Sequence, residues 1–187
     1  MDTVPSRRLT REGAMKVLNA AVNKAQALNS AVSIAVVDDG GHLIAFTRSE
    51  NAELYSIAIA QAKAKSAALT RFPSGKKSPT GNERDDHHAL AITLAAGPGS
   101  FVTIPGGFPL YSEGEIVGAV AVSGAGSKDI EIAQTAAAIL ANNARPQPLS
   151  CPQSVPLRCT RAWLCSLSAS PVGGDKQTLI LHPDCSG

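Results

Sequence analysis

Phe108-Pro109-Leu110-Tyr111 and Glu115-Ile116-Val117-Gly118-Ala119-Val120-Ala121-Val122-Ser123 are two β-rich runs separated by Ser112-Glu113-Gly114. The spacing predicts two strands joined by a short turn. Just upstream, Phe101–Ile104 reads as a further strand, interrupted by Pro105-Gly106-Gly107. Downstream, Gly124-Ala125-Gly126-Ser127-Lys128 reads as a tight strand-to-helix turn, with Ser127 as the cap of a helix whose Ile130, Ala133, Ala137 and Leu140 form one face. The turn is not a Walker loop, because the Gly-Lys-Ser/Thr order is absent.

The first half repeats the pattern. Ser33–Val37 and His42–Thr47 flank Asp38-Asp39-Gly40-Gly41, residues that tolerate the positive φ of a hairpin turn. Before them, Thr10 opens a helix in which Ala14, Val17, Leu18, Ala21, Val22 and Ala25 recur at helical spacing. After them come an alanine-rich helix near Tyr55–Thr70, a loop with Pro73, Gly75, Pro79 and Gly81, and a short helix from about Asp85 to Ala96. Hairpins dominate and βαβ crossovers do not. The fold class is therefore α+β, an antiparallel sheet flanked by helices.

Composition bounds the rest. A chain of 187 residues suits one domain with a tail. Hydrophobic residues make up 44% but aromatics only 4%, which predicts a core packed through small side chains and continued across a subunit interface. The net charge of +2, with no block of like charges, points to neither nucleic acid nor an anionic membrane as partner. The chain lacks an apolar run of about eighteen residues, and Met1-Asp2-Thr3-Val4-Pro5 lacks a signal peptide's apolar stretch, so the expectation is a cytoplasmic protein. Cys151, Cys159, Cys165 and Cys185 all lie beyond residue 150, at spacings of neither a zinc ribbon nor a redox pair. The expected organisation is an arm at 1–8, a domain at 9–145 and a Pro/Ser/Cys-rich tail at 146–187, either disordered or not part of the fold.

Several residues carry candidate chemistry. Gly106-Gly107 permits close approach of backbone N–H groups to an anion, or else a bulge that redirects the strand. His87 and His88, after a Gly/Pro loop and Asp85-Asp86, offer imidazoles for haem iron or acid–base work, or simply a solvated helix start. His42 reads as an exposed strand position and Tyr111 as a core residue. His182 lies in the tail. No Ser/His/Asp triad is legible.

Three stretches resemble the GlcG/HbpS family, which includes the C-terminal domain of PduO-type proteins. They are Val36-Val37-Asp38-Asp39-Gly40-Gly41-His42-Leu43-Ile44-Ala45-Phe46-Thr47-Arg48 with Asn51-Ala52, the Lys63-Ala64-Lys65-Ser66-Ala67 helix, and Gly106-Gly107-Phe108-Pro109-Leu110 through Gly114–Gly124. The resemblance implies a profilin-like fold that assembles into homo-oligomers, and a haem or corrinoid ligand. It also places Arg48 in a motif facing the usual pocket. Departures fall at Asn51, where the family usually has an acidic residue, at Ala121, where it often has glycine, and at Pro105.

Two functions emerge as expectations. One is an oligomeric module that binds a small molecule, haem or another tetrapyrrole, for sensing, storage or slow degradation. Arg48, His87, His88, Gly106 and Gly107 would hold that ligand, with His87 and His88 on the iron. The other is a cofactor-free isomerase, lyase or cyclase acting on a small organic acid or a natural-product intermediate.

Overall fold

The computed structural model describes residue 2 and residues 5–141. The tail, its four cysteines and His182 lie outside the described residues. Helix α1 (Arg11–Ala27) begins at Thr10, whose hydroxyl accepts the Gly13 N–H at 3.1 Å and so satisfies one orphan donor of the first turn. Ala14, Val17, Leu18, Ala21 and Ala25 are its buried face, and Val22 packs at the edge. Strands β1 (Ser33–Asp38) and β2 (Leu43–Arg48) form the first hairpin. Helices α2 (Ser56–Thr70) and α3 (Asp86–Ala96) come next. Strands β3 (Gly107–Ser112) and β4 (Glu115–Ser123) form the second hairpin, and α4 (Lys128–Ala141) closes the described chain.

The four strands make one antiparallel sheet in the order β2-β1-β4-β3. Central strands β1 and β4 are buried on both faces, so their side chains sort by parity. Ile34, Val36, Val120 and Val122 face α1 and α4, whereas Ala35, Val37, Ala119 and Ala121 face α2. The α2 face is almost entirely alanine, because Ala60, Ala64, Ala67 and Ala68 answer from the helix. Small residues on both sides let the α2 backbone approach the sheet closely. The approach is close at Gly107, where an added Cβ would stand 2.5 Å from the Lys63 carbonyl oxygen.

Several expectations are corrected. Phe101–Ile104 forms no strand. Its backbone groups are taken up by side chains instead: Val102 N–H and C=O meet Ser66 Oγ at 3.4 Å, and Ile104 C=O accepts from Ser74 Oγ at 2.8 Å. The buried face of α4 runs through Asp129, Ile132, Ala133 and Ala136, which leaves Ile130 exposed. Ser127 is exposed, and the turn is held by Asp129, whose Oδ1 accepts from Ala125 N–H at 2.8 Å. Tyr111 is exposed rather than in the core, just past an irregularity in the β3–β4 ladder.

Candidate functional site

The glycine pair at the start of β3 sits over a buried ion pair. Lys63 and Asp129, 66 residues apart in the chain, meet at 2.8 Å with side chains 2% and 6% exposed. Lys63 Nζ also donates to the Val122 carbonyl at 2.9 Å. A buried charge needs such partners, since desolvation without them costs several kcal/mol. Gly106, at φ +117°, leaves room for this network: a Cβ there would lie 3.0 Å from Asp129 Cβ and from the Val122 oxygen, and 3.1 Å from Lys63 Nζ. Gly107 N–H donates to Ser74 Oγ at 2.8 Å, so that donor is already engaged inside the fold. Packing within the fold is therefore what requires both glycines.

Arg48 is exposed at the end of β2, opposite Ser33. Gly107 begins β3 on the other edge of the sheet, opposite Ala121. Three strand spacings separate these edges, about 14 Å. His87 and His88 are placed on a third element, in the first turn of α3, and both are exposed. Asp85 caps that helix by accepting His88 N–H at 2.8 Å, and Asp86 pairs with Lys76 at 3.3 Å. Neither carboxylate orients an imidazole ring there. Among the described residues, α3 buries no side chain and packs extensively against no other helix or strand.

The β1–β2 turn holds a different arrangement. Asp38 and His42 are brought together by the turn itself, with the Asp38 carboxylate 3.2 Å from His42 Nδ1. They line a cleft of about 550 Å³ with Ser6, Arg8, Leu9, Asp39 and Ile44. Partial desolvation pushes the Asp38 carboxyl up, but hydrogen bonds and charge from His42, with the Gly40 N–H, outweigh it and hold the group below the usual carboxylate range. A second cleft, of about 330 Å³, lies between α2 and the same turn and is lined by Val37, Leu43, Gln61 and Lys65. Among the described residues no cluster of three or more His, Cys, Asp or Glu offers a metal-ion site, and no helix is long and apolar enough to cross a membrane.

Known proteins share this architecture. The model of the family of haem-degrading HbpS-like proteins matches residues 9–138. The chain belongs to the HbpS-like family. GlcG of Escherichia coli strain K12 is 38% identical over 121 residues, 62% of this chain and 81% of GlcG. The crystal structure of a double mutant of Streptomyces reticuli HbpS has a TM-score of 0.61 at 31% identity, covering 74% of this chain and 91% of that one. A PduOC–heme complex has a TM-score of 0.56 at 27% identity, covering 71% and 94%. The α+β antiparallel sheet with flanking helices is thus the HbpS-like fold. Sequence reasoning missed two contacts in this HbpS-like domain, Lys63–Asp129 and Asp38–His42. The second had a signal in the chain, a carboxylate and an imidazole four residues apart across an Asp-Gly-Gly turn.

Proposed function

We propose that this chain binds haem or a closely related tetrapyrrole, in a role of sensing, storage or slow degradation. The observation that carries the reading is membership of a family described by haem degradation, with a related structure crystallised as a heme complex. The residues present fit such a group. Haem asks for an axial donor, a cation near its carboxylates and apolar surface for its ring. The cleft at the β1–β2 turn has His42, Arg8, Leu9 and Ile44, in a volume within the usual range of ligand sites. When bound, haem supplies an iron centre for redox or oxygen chemistry, and the protein sets its access and axial donor.

His87 and His88, with Arg48 and the Gly106-Gly107 backbone, form the donor set suggested by the sequence. The double change His87→Ala/His88→Ala tests it. A tenfold weakening, about 1.4 kcal/mol, would assign the iron to α3. The reading as a whole is tested by titrating the full chain with hemin. A saturable Soret band at micromolar concentration is expected, and its absence would overturn haem binding in favour of a cofactor-free enzyme.

A homo-oligomer belongs to the same proposal. Leu90 and Leu94, one helical turn apart on α3, are 58% and 71% exposed. Exposed leucines one turn apart ask for a cover, and an isolated helix this short is marginal in water. A second copy of the chain is the cover we propose.

A further inference from the structure

The turn between β1 and β2 contains more than a hairpin needs. Asp38 N–H donates to the His42 carbonyl at 2.9 Å and Gly41 N–H to the Asp38 carbonyl at 3.1 Å, which closes the turn through backbone alone. The Asp38 side chain then adds a second set of contacts. Its Oδ1 accepts from Gly40 N–H at 3.0 Å and from His42 N–H at 2.8 Å. Oδ1 and Oδ2 stand 3.2 and 3.3 Å from His42 Nδ1. The carboxylate is fixed by the two N–H groups, and so the imidazole is fixed by the carboxylate.

This arrangement decides which ring nitrogen is available. An Nδ1 that donates to a carboxylate carries the proton, which leaves Nε2 of the neutral ring with a free lone pair. A carboxylate behind a ligating histidine is also the usual outer partner at metal sites, where it sets ring orientation and raises the basicity of the donor. Packing does not explain the side chain, which is 83% exposed. The other two described histidines lack this support: neither the His87 nor the His88 ring has a hydrogen-bond partner among the described residues.

The neighbours add one cation and two apolar side chains. Arg8 lines the same cleft and brings a guanidinium, a strong partner for a carboxylate. Leu9 and Ile44 add apolar surface. Asp39, also in the lining, is the one further carboxylate beside Asp38, so the cleft pairs one cation with an already engaged anion and one free to face water.

Resting on the haem reading above, we propose that His42 Nε2 would ligate the iron of a haem held in this cleft. Asp38 is the positioning residue and Arg8 the counter-charge for a propionate. Coordination uses the Nε2 lone pair alone. The proton stays on Nδ1, shared toward Asp38, and no oxidant or reductant is required.

The test is hemin titration of the full chain and its variants, monitored by Soret absorbance and by the reduction potential of the hemin-loaded protein. His42→Ala should weaken hemin binding at least tenfold, with the parent spectrum restored by added imidazole. Asp38→Asn keeps an oxygen to accept the turn's N–H groups but removes the charge, so it should lower the melting temperature at neutral pH only modestly and raise the haem potential. A purely structural Asp38 would not move that potential. Arg8→Gln should weaken hemin several-fold and leave the spectrum as it is. If the parent shows no saturable band, the haem reading and this proposal fall together. If the parent binds and His42→Ala binds equally well with an unchanged melt, or if only His87→Ala/His88→Ala loses the band, haem binding stands and the assignment to His42 is overturned.

Discussion

Removing Asp129 should be far more damaging than removing an ordinary carboxylate. In Asp129→Ala the Lys63 ammonium remains buried and keeps only the Val122 carbonyl at 2.9 Å, having lost a partner at 2.8 Å. Ala125 N–H loses its acceptor in the same step. Breaking one side of a buried pair costs about 3–5 kcal/mol, because the surviving charge stays desolvated. That is about a fifth or more of the roughly 5–15 kcal/mol stability of a typical domain. For a domain of this size it corresponds to a fall in melting temperature of about 10 °C or more. Lys63→Met should cost a similar amount, since it leaves Asp129 with a single N–H partner. The double variant Lys63→Met/Asp129→Ala should cost clearly less than the sum, by about 2 kcal/mol or more, because no unpaired charge is left behind. Urea denaturation of the four proteins provides the cycle. A cost below about 1 kcal/mol for Asp129→Ala, or strict additivity, would refute the idea that the pair holds α2, the end of β4 and the start of α4 together.

Other outcomes are expected from the same structure. Gly107→Ala should destabilise by about 1–3 kcal/mol or more, since the new methyl would meet the Lys63 carbonyl at 2.5 Å and neither backbone can rotate away; an unchanged urea midpoint would contradict that packing. Leu90→Glu/Leu94→Glu should shift sedimentation to a 19 kDa species if α3 is the self-association surface, and an unchanged oligomer would locate the interface elsewhere. Asp38 titrates below its ordinary value in the folded chain. Its contribution to stability should therefore be complete at neutral pH, start to fall near the unfolded value of about 3.9, and be lost as pH drops through the lower folded value. Asp38→Asn should flatten that acid limb in pH-dependent melts. A chain shortened to residues 1–145 should melt within about 3 °C of the full chain, and a larger drop would mean that the fold needs residues beyond 145.

The elements were largely legible because the forces that specify them act over a few residues. Thr10 caps its own third following N–H. Alternation and Gly-containing turns produce both hairpins, and helical spacing marks the buried face of α1. Phe101–Ile104 shows where such reasoning stops, since β-rich composition does not say whether a backbone pairs with a strand or with Ser66 and Ser74 from elsewhere. The family, too, was legible, in short motifs whose residues are neighbours along the chain.

The site depended on distance in the fold. Nothing in the chain says that Arg48 and the glycine pair belong to opposite edges of the sheet, which the order β2-β1-β4-β3 decides. The chain places Lys63 on an alanine-rich helix, and only the packing of another layer brings Asp129 to it. Hydrophobic period and turn chemistry are properties of neighbouring residues, and the sequence alone determines them. Whether a charge is buried, and which partner it finds there, is decided by the packing of layers, because desolvation is set by everything that surrounds the group.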